Sequence, residues 1–120
     1  MLDILSRKDK GTWYEQKACK LLKNAGLSLL QKNYHCPFGE IDLIMRDKDE
    51  IVFIEVRGRT KTHFACALES IDSHKQKKLL KSAQHYLHTK NWIDKVNCRF
   101  DVVGFNEQKT TWIKDAFSYE

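Results

Sequence analysis

Two neighbouring runs, GEIDLIMR at 39–46 and IVFIEVR at 51–57, constrain this chain more than any other feature. Both are rich in Ile, Val, Leu and Phe, the composition of strands that pack into a core. The polar residues Asp47-Lys-Asp-Glu50 between them leave room only for a tight connection, so the runs are predicted to form an antiparallel hairpin. Charges sit inside these strands nonetheless: Glu40, Asp42, Glu55 and Arg57. A fold built on this hairpin must accommodate them.

Strand side chains alternate, which predicts that Glu55 and Arg57 share a face with Ile51 and Phe53. By the same rule Asp42 shares a face with Glu40 and Ile44, opposite Ile41 and Leu43. If residues 47–50 make the turn, Arg46 faces Ile51 and Asp42 lies across from Glu55. Opposed residues have Cβ atoms roughly 4.5–5.5 Å apart, and like charges at that distance repel. Such a pair requires a shared proton, an arginine partner at Arg57 or Arg59, or a divalent cation. A register slip of one residue would separate the two acids.

The remaining segments supply two helices and at least two more strands. Thr12 and Glu15 fit a capping box, and Tyr14, Ala18, Leu21, Leu22 and Ala25 recur at helical spacing, predicting a helix over 13–25 that stops at Gly26. Residues 28–34 read as an edge strand, broken from the next by Pro37 and Gly39. Ser73 with Gln76 reads as a second capping box, opening a helix to residue 88. Its apolar stripe is Leu79, Leu80, Ala83, Tyr86 and Leu87, and its polar stripe is His74, Lys77, Lys78, Lys81, His85 and His88. A firm strand at 98–105 and a short one at 111–113 follow. The crossover through the second helix predicts parallel pairing of 51–57 with 98–105. One α/β domain spanning residues 1–120 is expected, with a mixed sheet, an αβββαβ core and a flexible lead over residues 1–10.

The formal net charge is +5 and is concentrated. Residues 57–90 hold eight Lys and Arg against two acids, a net of +6, which leaves −1 for everything else. That imbalance fits an anionic partner, nucleic acid first, or a lysine-rich solvated helix face. Cys19, Cys36, Cys66 and Cys98 are scattered without a zinc-type spacing, so buried cysteines and solvated histidines are expected. No apolar run approaches the roughly 20 residues that cross a bilayer. A cytoplasmic protein without membrane attachment is the economical expectation.

The blocks GEIDLIMRD, VFIEVRGR, ESI with Lys75 and LLKSAQHYL, and CRFDVV ending in WIKDAF resemble the YraN-like family of small bacterial proteins. Asp42 followed by Glu55-Val56-Arg57 is similar to the PD-(D/E)xK motif. The resemblance implies a restriction-endonuclease-like single domain, shared with Holliday junction resolvases and tRNA-splicing endonucleases. It implies that Asp42 and Glu55 ligate Mg²⁺ or Mn²⁺, with the Val56 carbonyl as third ligand and Glu15 as an extra acid from the first helix. Ile41 replaces the motif proline, and Arg57 stands where the motif has lysine. Arginine stays protonated, so Arg57 cannot serve as a general base, although its fork can hold a phosphate.

Under the same resemblance Arg59, Lys61, Lys75, Lys77, Lys78 and Lys81 would contact phosphates of DNA, in preference to RNA, without reading sequence. Trp13, Tyr34 and Trp92 could stack on unpaired bases, core packing being the ordinary fate of such rings. A homodimer is a further implication, since resolvase-like proteins commonly act in pairs. Two functions are open: a metal-dependent endonuclease acting on branched DNA, and a nucleic-acid-binding module that keeps the fold without cutting.

Overall fold

The computed structural model describes residues 7–60, 71–106 and 109–118, with side chains from Gly11 to Gly58 in the first segment. The elements run α1 (Arg7–Asn24), β1 (Ser28–Cys36), β2 (Gly39–Asp47), β3 (Glu50–Thr60), α2 (Ser73–Thr89), β4 (Asn97–Asn106) and β5 (Thr110–Phe117). The strands form one sheet in sequence order, β1-β2-β3-β4-β5. All neighbours are antiparallel except β3 and β4, which pair in parallel across α2, as the crossover requires. The result is a small compact α/β domain with a five-stranded mixed sheet and two helices. Among the described residues no helix is long and apolar enough to cross a membrane.

Alternation along the central strands sorts the core into two layers. Ile51 and Phe53 of β3, with Phe100 and Val102 of β4, pack under Leu79, Ala83, Tyr86 and Leu87 of α2. Val52 and Ile54, with Val103 and Phe105, pack under Tyr14, Ala18, Cys19 and Leu22 of α1. Each helix therefore covers one face. This explains why β3 is apolar at consecutive positions rather than at every second one.

Two helix starts differ from expectation. α1 begins at Arg7, so Thr12 and Glu15 lie inside the helix and make no capping box. α2 is capped by Asp72, whose Oδ1 accepts from the Lys75 N–H at 2.9 Å; Ser73 is the first helical residue, and Gln76 Nε2 donates to the Ile71 carbonyl. Aspartate is as good a cap as serine, and the competing cap stood one residue earlier. Ser82, read as neither stripe, is fully buried in α2. β5 runs eight residues rather than three.

Three of the four described histidines are solvated, as expected: His35, His74 and His88 are exposed, with His35 Nδ1 3.2 Å from Glu40 Oε2. His85 is half-buried, its Nδ1 hydrogen-bonded to the Tyr34 hydroxyl. Cys19 is buried, Cys36 and Cys98 are half-buried, and Cys66 lies outside the described residues.

Candidate active site

The β2–β3 hairpin keeps the predicted register, pairing Leu43 with Ile54, Arg46 with Ile51 and Asp47 with Glu50 around a two-residue turn, Lys48-Asp49. Beyond Leu43 and Ile54 the paired ladder stops. The next β3 backbone donor, the Val56 N–H, is taken by a side chain: Asp42 Oδ2 accepts it at 2.8 Å. A carboxylate thus substitutes for the missing strand partner, where a buried N–H would otherwise stay unsatisfied.

The opening has a visible cause in β1 and β2. Ile41 and Leu43, two residues apart, should share a face, yet Ile41 belongs to the α2 side and Leu43 to the α1 side. Strict alternation fails at Asp42, which corrects the simple face assignment. The pairs Lys32–Leu43 and Tyr34–Ile41 place Asn33 of β1 opposite the slip, and Asn33 has φ of 50°. Asparagine is one of the few side chains that tolerates this left-handed conformation. The sequence carried that signal as an asparagine inside LLQKNYHC.

Glu55 lies on the α2 side with Phe53, as predicted, and is only 6% exposed. Its carboxyl is hydrogen-bonded to that of Asp42. Burial, then the neighbouring Asp42, pushes the Glu55 carboxyl up to about 8, with Lys75 and Arg57 acting in the opposite sense. Asp42 is also raised, chiefly by burial, while the Val56 N–H favours its charged form. One proton held between two buried oxygens is the expected resolution of such a pair at neutral pH.

Two cations approach Glu55. Arg57 Nη2 is 3.3 Å from Glu55 Oε2, and Lys75 Nζ is 3.6 Å from the same oxygen. Arg57 Nε is buried without a partner among the described residues. Lys75, expected on the phosphate-binding face, is instead turned inward from the first turn of α2. Glu15, in the middle of α1, is half-buried and hydrogen-bonded with Asn33 and with Asp42. Its carboxyl is raised by burial first and by Asp42 second. Glu15 meets Asp42 rather than joining Asp42 and Glu55 as an equal third ligand, and among the described residues no three His, Cys, Asp or Glu side chains are placed to hold a metal ion together.

The other expected site residues separate clearly. Lys77, Lys78 and Lys81 are exposed on the outer face of α2. The side chain of Arg59, and all of Lys61, lie outside the described residues. Tyr34 is core at 8% exposure, Trp92 packs against Tyr86, and Trp13 is at the surface with Lys17 Nζ 4.8 Å from its ring centroid. Arg99 and Asp101 of β4 form an ion pair extended to Asp47 and Glu50.

A single α/β domain carrying a hydrogen-bonded pair of buried carboxyls, flanked by an arginine and a lysine where two strands part, is the class that fold and site define. The chain belongs to a known family: residues 14–105 match the family described as "Uncharacterised protein family UPF0102", the YraN-like proteins. A "UPF0102 protein" of Nitrosococcus oceani is 48% identical over 119 residues, covering 96% of each chain. One of Legionella pneumophila strain Corby is 45% identical over 111 residues, covering 91% of this chain and 94% of its own. One of Coxiella burnetii strain RSA 331 is 44% identical over 107 residues, covering 88% and 89%.

Proposed function

We propose that this protein binds nucleic acid and cleaves phosphodiesters, DNA before RNA, with Mg²⁺ or Mn²⁺ held by Asp42 and Glu55. The carrying observation is the hydrogen-bonded Asp42–Glu55 pair with two cations beside it. The donor set fits the ion. Mg²⁺ takes one or two carboxylates and fills its remaining positions with water and phosphate oxygens, so a third protein carboxylate is not required. A divalent ion would take the place of a proton shared by such a pair.

When bound, such an ion lowers the pKa of a coordinated water and offsets charge on the phosphoryl oxygens. The chain's own residues do the rest. Arg57, with its unpartnered Nε, offers a donor to a phosphate oxygen. Lys75 places a cationic amine at the acid pair, the feature that Arg57 removes from the PD-(D/E)xK pattern. Glu15 orients Asp42 through their hydrogen bond. The placement within restriction-endonuclease-like proteins is part of this reading, supported by the order of elements and the spacing of Asp42 and Glu55.

A second reading, a binding module that does not cut, is favoured by Arg57 itself, which cannot give up a proton. One experiment separates the two: purified protein is offered branched DNA, single-stranded DNA and tRNA with and without Mn²⁺, alongside Asp42→Asn and Glu55→Gln. Cleavage by wild type alone supports the nuclease. Binding without cleavage in either metal leaves the module.

A further inference from the structure

We infer that Phe38, at the tip of the β1–β2 hairpin, is a stacking platform for an unpaired nucleobase, placed a fixed distance from the acid pair. This rests on the nucleic-acid reading above and names its substrate class: DNA interrupted by an unpaired nucleotide.

Phe38 is 46% exposed, more than Trp13, Leu30 or Ile93, the other large hydrophobic residues at the described surface. Nothing in the core accounts for it. The ring is nevertheless held in place. It meets His85 edge-on with centroids 6.1 Å apart; His85 is hydrogen-bonded to the Tyr34 hydroxyl; and Tyr34 packs edge-on against Tyr86, which is 2% exposed. The next residue, Gly39, has φ of +148°, and a Cβ there would meet Ser82 Oγ at 3.4 Å and Lys78 Cβ at 3.9 Å. The hairpin is thus pressed onto α2, and its tip presents an aromatic face with little freedom left to lose on binding.

The same ridge of α2 joins the tip to the acid pair. Lys75, Lys78, Ser82 and His85 follow one another at spacings of three and four, which aligns them along the helix. Lys75 touches Glu55 at one end, and His85 touches Phe38 at the other. Exposed Lys78 lies between them, with Lys77 and Lys81 beside it. Phe38 and Asp42 are four positions apart along the chain, a reach of no more than about 14 Å. At about 3.4 Å per base pair, that corresponds to roughly four steps along a duplex. Phosphates on the lysines and a base on Phe38 are therefore compatible with one strand lying along α2.

The test uses two duplexes of equal length, one fully paired and one with a single bulged 2-aminopurine. Wild type is expected to bind the bulged duplex about tenfold more tightly, the lower range for one base stacked on an aromatic ring, with quenching of the probe. Phe38→Ala should lose that preference and the quench while binding the paired duplex with the same salt dependence; Phe38→Trp should keep both. The exposed position leaves the core intact in either variant. An unchanged preference in Phe38→Ala overturns this inference alone. Absence of binding to either duplex by wild type overturns the nucleic-acid reading and this inference with it. If Phe38→Ala changes only the sedimentation coefficient, the tip is a contact between copies and the inference fails.

Discussion

Lys75 Nζ lies 3.6 Å from Glu55 Oε2, although the two residues belong to different layers and are joined only through the crossover. The contact ties the first turn of α2 to the end of β3. Lys75 is one of the two cations that favour the charged form of Glu55, against burial and Asp42. Replacing Lys75 by Gln should therefore raise the Glu55 carboxyl above about 8, by about half to one pH unit for a partly exposed partner at this distance. Carbon-13 NMR of the carboxyl region reads the midpoint directly. A midpoint that does not move would show that Lys75 belongs to the solvated face after all.

Glu55 also makes stability depend on pH in a defined direction. Its carboxyl is raised on folding from 4.5 to about 8, so the folded state holds the proton more tightly than the unfolded one. That contribution is complete below about pH 4.5 and is lost as the pH climbs through about 8. Glu55→Gln removes the titration and can still donate to Asp42. The variant should gain on wild type between pH 5 and pH 9 without added metal, by a few kcal/mol at the alkaline end. Urea midpoints at four pH values measure this. A constant difference across the range would mean that Glu55 does not titrate with folding.

How far the sequence reached follows from which interactions are periodic. The hairpin, its register and the parallel crossover were legible because apolar alternation and a polar turn are local, repeated signals. The approach of Asp42 to Glu55 was expected from that register, but the ladder ends at Leu43 and Ile54, and Asp42 comes to Glu55 while accepting from the Val56 N–H. The slip at Asp42, the left-handed Asn33 opposite it and the inward turn of Lys75 were not legible, because each depends on a contact between elements distant in sequence. α1 was started too late because Thr12 and Glu15 match a capping pattern that the helix does not use. There Glu15 is set toward Asp42 instead, in the direction that the family resemblance implied.

Asp101, in the middle of β4, ties that strand to β5. It is 1% exposed and accepts from Arg99 Nε, from Trp112 Nε1 at 2.9 Å and from the Asp115 N–H at 3.0 Å. Asp115 has φ of 51°, so the carboxylate also holds a left-handed residue of β5 in place. Removing its charge still leaves Arg99 paired with Asp47 and Glu50, but it takes the one fully buried carboxylate from the network. Asp101→Asn should cost about 2–3 kcal/mol, somewhat less than a fully orphaned buried charge. Denaturation followed by tryptophan fluorescence measures it, and DNA affinity at low denaturant should be unchanged. A cost below about 0.5 kcal/mol would reduce the network to a surface ion pair.

Gly58 follows Arg57 and lies under the ring of Tyr14, where an added Cβ would stand 2.3 Å from Tyr14 Cδ2. The collision is with a ring itself packed on Phe105 at 5.2 Å, so it cannot swing aside cheaply. Gly58→Ala should destabilise by about 1–3 kcal/mol, as overpacking does. Adding Tyr14→Ala should make the glycine substitution nearly neutral, a coupling of at least about 1 kcal/mol in the double-mutant cycle. Additive effects would place the cost in the β3 backbone rather than in the contact between α1 and β3.

The exposed lysines of α2 define the last expectation. Each lysine that neutralises a phosphate contributes about −0.9 to the slope of log affinity against log salt on duplex DNA. Converting Lys77, Lys78 and Lys81 together to Gln should therefore lower the magnitude of that slope by roughly 2–3. Their exposure makes a loss of stability above about 0.5 kcal/mol unexpected. Lys75→Gln should change the slope less than Lys78→Gln, because Lys75 is already engaged with Glu55. Fluorescence anisotropy at four salt concentrations distinguishes these outcomes. A slope left intact in the triple variant would remove the outer face of α2 from the binding surface, and the positive charge there would then be a solvated helix face.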